Sequence, residues 1–158
     1  MKTLVVYYSR TGNTKKVAKI IADKLKADLD EIIDLKNRSG ILGFIFAGRD
    51  AVKKNLTKIA FTKNPADYDL VIIGTPVWAT TATPAVRTYL SQNKKSLNTV
   101  AFFTTSGGDS PRKTVAFLEK LLERKAMASA GWTTNELKNN TLEPKLDNFL
   151  KNFLNHLH

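Results

Sequence analysis

The stretch Thr3-Leu-Val-Val-Tyr-Tyr-Ser-Arg-Thr-Gly-Asn-Thr14 places a short apolar run directly before a small polar loop. The run Thr3–Tyr8 does not alternate between apolar and polar residues, and it therefore predicts a strand buried on both faces of a parallel sheet. After the loop, apolar residues at helical spacing predict an amphipathic helix: Val17, Ile20, Ile21 and Leu25. A strand, a loop and a helix in this order indicate the start of an α/β fold.

The polar loop Ser9–Thr14 has the composition of a phosphate-binding turn. A helix N-terminus exposes backbone N–H groups and carries a partial positive charge, so a phosphate placed there is stabilised. Gly12 would let the backbone approach such a ligand closely. The hydroxyls expected to donate further hydrogen bonds are those of Ser9, Thr11 and Thr14. The alternative is an ordinary helix cap supplied by Asn13 or Thr14. The loop matches neither the glycine pattern of dinucleotide-binding folds nor that of P-loops, which argues against both classes.

The rest of the chain alternates strand-like and helix-like segments. Further strands are predicted at Leu29–Leu35, at Tyr68–Gly74, at Thr99–Thr105 and, within residues 126–134, around Met127–Trp132. Helices are predicted from Pro84, over Val115–Leu122 and from Leu142 to Leu154. Residues 36–64 are less regular, and a short helix is expected there from Asp50. This order predicts one α/β domain over residues 1–158, with a doubly wound, five-stranded parallel sheet and helices on both faces.

Composition narrows the class of protein. The chain has 158 residues, of which 25 are Lys or Arg, 14 are Asp or Glu and none is Cys, so its formal charge is +11. The absence of cysteine excludes a disulfide scaffold, a thiolate metal site and a thiol nucleophile. No apolar run approaches the roughly 18 residues of a membrane span, and we expect a cytoplasmic protein. The two histidines, His156 and His158, are expected at an exposed end of the chain, and no spacing typical of metal ligands is present.

The positive charge is concentrated in one segment. Residues 36–64 hold seven Lys and Arg and one Asp, so their charge of +6 is more than half of the net charge of +11. Together with its apolar residues, such a segment is typical of a surface that docks an acidic partner or a membrane face. The alternative is a solvated helix that covers the sheet with its apolar side.

Three loops are expected at the edge of the sheet where ligands bind. In an open parallel sheet this edge is formed by the carboxyl ends of the strands, near the point where the strand order reverses. The loops after the first, third and fourth predicted strands are rich in Ser, Thr and Gly and hold no His or carboxylate pair. This composition favours binding over acid–base catalysis, and no catalytic side chain is predicted.

The same three loops carry a resemblance to a known family. Ser9-x-Thr-Gly-Asn-Thr14 resembles the FMN-phosphate loop of flavodoxins, whose pattern is Ser/Thr-x-Thr-Gly-x-Thr. Gly74-Thr-Pro-Val-Trp78, followed by Pro84, resembles the first flavin-contacting loop of that family, and Thr104-Thr-Ser-Gly-Gly-Asp109 resembles the second. The resemblance covers nearly the whole chain. It implies the flavodoxin-like strand order 2-1-3-4-5 and a non-covalently held FMN.

The resemblance also implies the cofactor-binding residues. They are Ser9, Arg10, Thr11, Gly12, Asn13, Thr14, Thr75, Pro76, Val77, Trp78, Ala79, Thr80, Thr105, Ser106, Gly107, Gly108 and Asp109. Trp78 is expected to stack on the flavin ring rather than to fill the core, whereas Trp132 is expected in the core. Backbone N–H groups at Gly107 and Gly108 are expected near the ring edge, unless they form only a flexible turn. Asp109 is expected to cap the next helix or to place negative charge near the flavin.

Three functions fit these patterns. The first is a redox protein that binds FMN and exchanges electrons with protein partners, with acidic partners expected to dock on residues 36–64. The second is an FMN-dependent reductase that takes hydride from NAD(P)H and reduces a quinone or a flavin. The third is a flavin-free binding module for acidic partners, with nucleic acid disfavoured. Three departures from electron-carrying flavodoxins weaken the simple carrier role: the charge of +11, the long segment 36–64, and the lack of an aromatic residue between Thr104 and Pro111.

Overall fold

Parallel strands form the centre of the structure, a computed structural model that describes residues 1–37, 56–78, 81–108 and 111–154. In chain order the strands are β1 (Thr3–Tyr7), β2 (Asp28–Glu31), β3 (Ile33–Asp34), β4 (Ile59–Ala60), β5 (Leu70–Trp78), β6 (Thr81–Ala82), β7 (Thr99–Ser106) and β8 (Ser129–Thr133). The helices are α1 (Asn13–Leu25), α2 (Pro84–Asn93), α3 (Pro111–Leu122), α4 (Thr134–Lys138) and α5 (Glu143–Leu154). Short 3₁₀ turns cover Leu35–Asn37 and Pro65–Asp67.

The five long strands have the topology that the sequence predicted. They lie in the order β2-β1-β5-β7-β8, and each pairing between neighbours is parallel. Counted among themselves, these strands have the order 2-1-3-4-5, so the predicted fold class is confirmed. The strand order reverses between β1 and β5, and the loop after β1 therefore meets the end of β5 at the carboxyl edge of the sheet.

Both faces of the sheet are buried, which explains the non-alternating sequence of β1. Leu4 and Val6 point into an apolar cluster covered by α2 and α3, while Val5 and Tyr7 point into a second cluster covered by α1 and α5. Trp132 lies in the second cluster with 1% of its surface exposed, which confirms the prediction that it is a core residue.

The second predicted strand, Leu29–Leu35, divides into two. β2 pairs with β1, but β3 pairs antiparallel with β4 in a separate two-stranded sheet. The chain is held there by Asp30, whose carboxylate accepts hydrogen bonds from the backbone N–H groups of Thr62 and Lys63, 2.9 and 2.8 Å away. These bonds draw the returning chain against β2, so the strand leaves the main sheet. The predicted helix from Asp50 lies outside the described residues.

The third predicted strand continues beyond Gly74 to Trp78. A side-chain Cβ at position 74 would lie 2.0 Å from the Phe103 ring, so glycine leaves the space that this buried ring occupies beside β5. Beyond Gly74, the last partner of β1, one side of β5 has no neighbour in the parallel sheet. A proline is tolerated at such an edge, and Pro76 therefore lies within the strand instead of ending it.

Two remaining differences concern the C-terminal third of the chain. Within the predicted segment 126–134, only Ser129–Thr133 forms a strand, β8. Helix α4 was not predicted, although Thr133 and Glu136 form a capping box that marks its start. In the described part of the chain, no helix has both the length and the apolar character needed to cross a membrane.

Candidate functional site

A cleft of about 360 Å³ opens at the carboxyl edge of the sheet, where the strand order reverses. Three loops line it, as predicted, together with the first residue of α4. The lining residues are Arg10, Thr11, Asn13, Thr14, Pro76, Val77, Trp78, Thr105, Ser106, Gly107 and Thr134. The structure therefore brings together ten of the residues that the sequence predicted, drawn from all three loops.

The start of α1 forms one end of the cleft. Gly12 occupies the N-cap position with φ of 94°, a left-handed conformation that favours glycine, and this residue has no side chain that could cap the helix. The predicted alternative of a cap by Asn13 or Thr14 is thus wrong. The Ser9 hydroxyl oxygen instead accepts hydrogen bonds from the backbone N–H groups of Gly12 and Lys15, at 3.1 and 3.3 Å. Ser9 itself is not among the residues that line the cleft, and its hydroxyl proton is not used in these two bonds.

Two backbone donors at this helix start remain unused. A helix leaves its first N–H groups without an intrahelical acceptor, and Ser9 satisfies those of Gly12 and Lys15. No described residue accepts from the backbone N–H groups of Asn13 and Thr14. Both residues line the cleft, so this end offers paired N–H donors and the positive end of a helix dipole.

The Thr14 hydroxyl has a structural role that the sequence did not indicate. Thr14 and Thr105 are almost completely buried, and their hydroxyl oxygens lie 2.8 Å apart. One of the two hydroxyl protons is used in this bond, and the other is left for a further acceptor. The pair joins the first turn of α1 to the end of β7, which fixes the helix start relative to the sheet.

The end of β5 forms the opposite wall. Trp78 is half-buried, its ring lies edge-on to that of Tyr8 with centroids 6.0 Å apart, and the Arg10 guanidinium carbon lies over it at 5.5 Å from the ring centre. β6 pairs antiparallel with Val77 and Trp78, so backbone pairing supports this wall. A flat aromatic surface therefore borders the cleft on an anchored element.

Some predicted site residues lie elsewhere. Thr75 is fully buried and does not line the cleft. It donates to the carbonyl oxygen of Pro76 at 2.9 Å and accepts from the Thr83 N–H at 3.3 Å, which joins β5 to the residue before α2. The lining also lacks three other predicted residues that the structure describes, Ser9, Gly12 and Gly108. The predictions for Ala79, Thr80 and Asp109 concern positions outside the described residues.

Thr134 is a lining residue that the sequence analysis missed. Its hydroxyl donates to the carbonyl oxygen of Ser106 at 3.2 Å, which ties α4 to the loop after β7. Thr133, the residue before it, forms with Glu136 the capping box that starts α4. Lys145 and the Thr133 N–H donate hydrogen bonds to Glu136, and together they lower the pKa of that carboxyl. The Thr133-x-x-Glu136 pattern in the sequence was the available signal.

The charge of the cleft is positive. Among the described residues that line it, Arg10 is the charged side chain, and no carboxylate is present. Glu31, the acid at the end of β2, is already engaged by Lys15 at 3.2 Å and by the Tyr7 hydroxyl at 3.1 Å. Burial raises the pKa of Tyr7, and Glu31 adds to the effect. The site thus has donors for an anion at one end and an aromatic wall at the other.

Comparisons with known proteins agree with this geometry. The family model described as flavodoxin matches residues 2–155, so the chain belongs to the flavodoxin family. No curated protein sequence matches the chain significantly.

Solved structures with the same architecture include flavin proteins. A flavoprotein from Lactobacillus acidophilus NCFM, crystallised in complex with FMN, is 27% identical, covers 87% of this chain and 97% of its own, and superposes with a TM-score of 0.66. The two-electron reduced flavodoxin of Megasphaera elsdenii is 19% identical, with coverage of 91% and 93% and a TM-score of 0.59. At that identity the second likeness shows the fold alone.

Proposed function

We propose that this chain binds FMN in the cleft and transfers electrons to or from protein partners. The observation that carries the proposal is the pair of unused backbone donors at Asn13 and Thr14 beside the left-handed Gly12. Unpaired N–H groups at a helix start are stabilised by an anion, and a phosphate monoester supplies several acceptor oxygens. The FMN complex of the Lactobacillus acidophilus flavoprotein supports the choice of ligand.

The residues present fit the phosphate end of FMN. Gly12 carries no side chain, and a Cβ added there would meet nothing within 4 Å, so the space beside the helix start is open. The hydroxyl protons of Ser9 and Thr11 and the free proton of the Thr14–Thr105 pair add to the two backbone donors. This set would hold a phosphate without requiring a lysine, because the donors and the helix dipole supply the positive potential.

The opposite wall fits a flat, largely apolar ring. Trp78 offers an aromatic surface, and aromatic pairs contribute about 0.5–1.5 kcal/mol beyond area burial. Gly107 lines the cleft and has no atom within 4 Å of the position where a Cβ would be, so its backbone is accessible. The bound flavin supplies the electron chemistry, while the chain orients the ring and sets the charge around it.

An acidic protein is the partner class that the charge favours. The sequence predicts docking on residues 36–64, of which Lys36 and Lys58 are exposed in the described part. Arg10 at the cleft adds to this positive surface. Opposite charges on a partner would accelerate encounter, and the rate of electron transfer would then fall as salt is added.

The test of the proposed function is the binding of FMN and of riboflavin, which lacks the phosphate. The purified chain should bind FMN at micromolar concentration or below, and Thr11→Val should weaken FMN about tenfold because one hydrogen bond to a charged group is lost. Riboflavin binding should change much less. Thr99→Val, an exposed threonine at the other end of β7, is the matched control and should leave both affinities unchanged.

Other outcomes would contradict the assignment. A chain that does not bind FMN at micromolar concentration excludes the flavin function, and equal losses for both ligands exclude Thr11 as a phosphate contact. Oxidation of NAD(P)H with a quinone acceptor at catalytic rates would favour the reductase alternative over the carrier.

A further inference from the structure

The side chain of Arg10 crosses from one wall of the cleft to the other. Its backbone belongs to the loop after β1, which forms the phosphate end. Its guanidinium carbon, however, lies 5.5 Å from the centre of the Trp78 ring, within the range of a cation–π contact. The charge therefore lies at the aromatic wall.

No carboxylate balances this charge within the described cleft. The ion pairs at the neighbouring elements join other residues, such as Lys15 with Glu31 and Lys145 with Glu136. Arg10 is exposed to solvent, so its field is screened by salt, and no carboxylate of the described residues forms an ion pair with it. Any ligand group placed against Trp78 would experience this positive potential.

We propose that Arg10 sets the redox potential of the bound flavin by stabilising its reduced, negatively charged form. The proposal rests on the proposed function, because it requires FMN in the cleft with its ring at Trp78. Uptake of two electrons and one proton gives the flavin one more negative charge than it carries when oxidised. A cation at the ring stabilises that extra charge, so it favours complete two-electron reduction and raises the midpoint potential.

A contact of Arg10 with the phosphate would have a different thermodynamic signature. The charge of the phosphate is the same in both redox states of the flavin. An arginine bound to it would therefore strengthen oxidised and reduced FMN equally and leave the potential unchanged. The ratio of the two affinities separates the alternatives, since only a charge at the ring changes it.

The experiment compares variants at Arg10 in the FMN-loaded protein. Arg10→Met removes the charge but keeps much of the length, Arg10→Lys keeps the charge, and Lys19→Met removes an exposed charge from α1 outside the cleft lining. The measurements are the dissociation constant of oxidised FMN and the two-electron midpoint potential. Arg10→Met should weaken reduced FMN about tenfold relative to oxidised FMN, which lowers the potential by about 30 mV.

The controls identify the cause of the shift. Arg10→Lys should lower the midpoint potential by less than half as much as Arg10→Met does. Lys19→Met should shift it by less than a third as much as Arg10→Met. The effect of Arg10→Met should shrink at high salt, and at acidic pH where reduced flavin takes up a second proton and becomes neutral. An unchanged potential in Arg10→Met, or equal losses of oxidised and reduced FMN, would overturn the inference while leaving FMN binding intact. A wild-type chain that fails to bind FMN would instead refute the proposed function.

Discussion

Two clusters of polar groups lie near the ends of neighbouring strands, and they differ in how completely their hydrogen bonds are made. Around Asp30, at 6% exposure, the carboxylate accepts from the backbone N–H groups of Thr62, Lys63 and Glu31 and from the Thr62 hydroxyl. In the loop Ser9–Thr14, by contrast, one hydroxyl satisfies two backbone donors and two more remain unused. The complete cluster joins β2 to the returning chain, whereas the incomplete one leaves two donors that an anionic ligand would satisfy.

The largest expected effect is at the complete cluster. Asp30→Ala should lower the free energy of unfolding by about 3 kcal/mol, because several charge-assisted hydrogen bonds are lost and their donors are left without an acceptor. Urea unfolding measured by circular dichroism would give this value. Asp23→Ala, on the exposed side of α1, should cost less than about 0.5 kcal/mol. Equal effects in the two variants would show that the bonds to Asp30 contribute little.

A smaller effect is expected at the incomplete cluster. Ser9→Ala removes the acceptor for Gly12 and Lys15, which should destabilise the chain by about 1 kcal/mol, as for other losses at a helix start. FMN should also bind more weakly than to the wild type, because the donors are no longer held in place. The control is Ser91→Ala on the exposed side of α2. If Ser9→Ala changes neither stability nor FMN affinity, the loop is not organised by this hydroxyl.

The smallest effect concerns the capping box beside the cleft. The hydrogen bond from Lys145, with those from Thr133, lowers the pKa of Glu136 in the folded chain. A carboxyl whose pKa is lower in the folded than in the unfolded chain, where it is about 4.3, stabilises the fold at pH values above that unfolded pKa. This stability is lost as the pH falls through the folded pKa.

The wild type should therefore be more stable than Glu136→Gln at neutral pH, by about 0.5 kcal/mol for an ion pair of this exposure. The difference should vanish in acid, which unfolding curves from pH 7 to pH 2 would measure. Lys145→Met should move the loss of stability to higher pH, towards the ordinary range of glutamate. A difference between wild type and Glu136→Gln that does not depend on pH would contradict this account.

The sequence predicted those features that depend on local pattern. The buried run in β1, the turn at Ser9–Thr14 and the proline at the start of α2 each appear in a few adjacent residues, and the strand order followed from the family resemblance. The division of Leu29–Leu35 could not be predicted in the same way. It depends on hydrogen bonds from Thr62 and Lys63, which lie about thirty residues away in the chain.

The sequence predicted which loops form the candidate site, but it predicted the roles of the individual residues only in part. All three loops reach the cleft, but the buried pair Thr14–Thr105 and the contact from Thr134 to Ser106 join segments that are far apart in sequence. The contact of Arg10 with Trp78 likewise depends on where the paired strands β5 and β6 lie. Residue types alone do not specify these distances.

The positions of the two tryptophans give the protein a pair of internal optical probes. Trp132 is sealed in the core, whereas Trp78 is half-buried at the cleft, and the chain contains no other tryptophan. The emission of Trp132 should lie at shorter wavelength and report on unfolding, and that of Trp78 should respond to whatever enters the cleft. Spectra of Trp78→Phe and Trp132→Phe would separate the two signals, so folding and binding can be followed in one unlabelled sample.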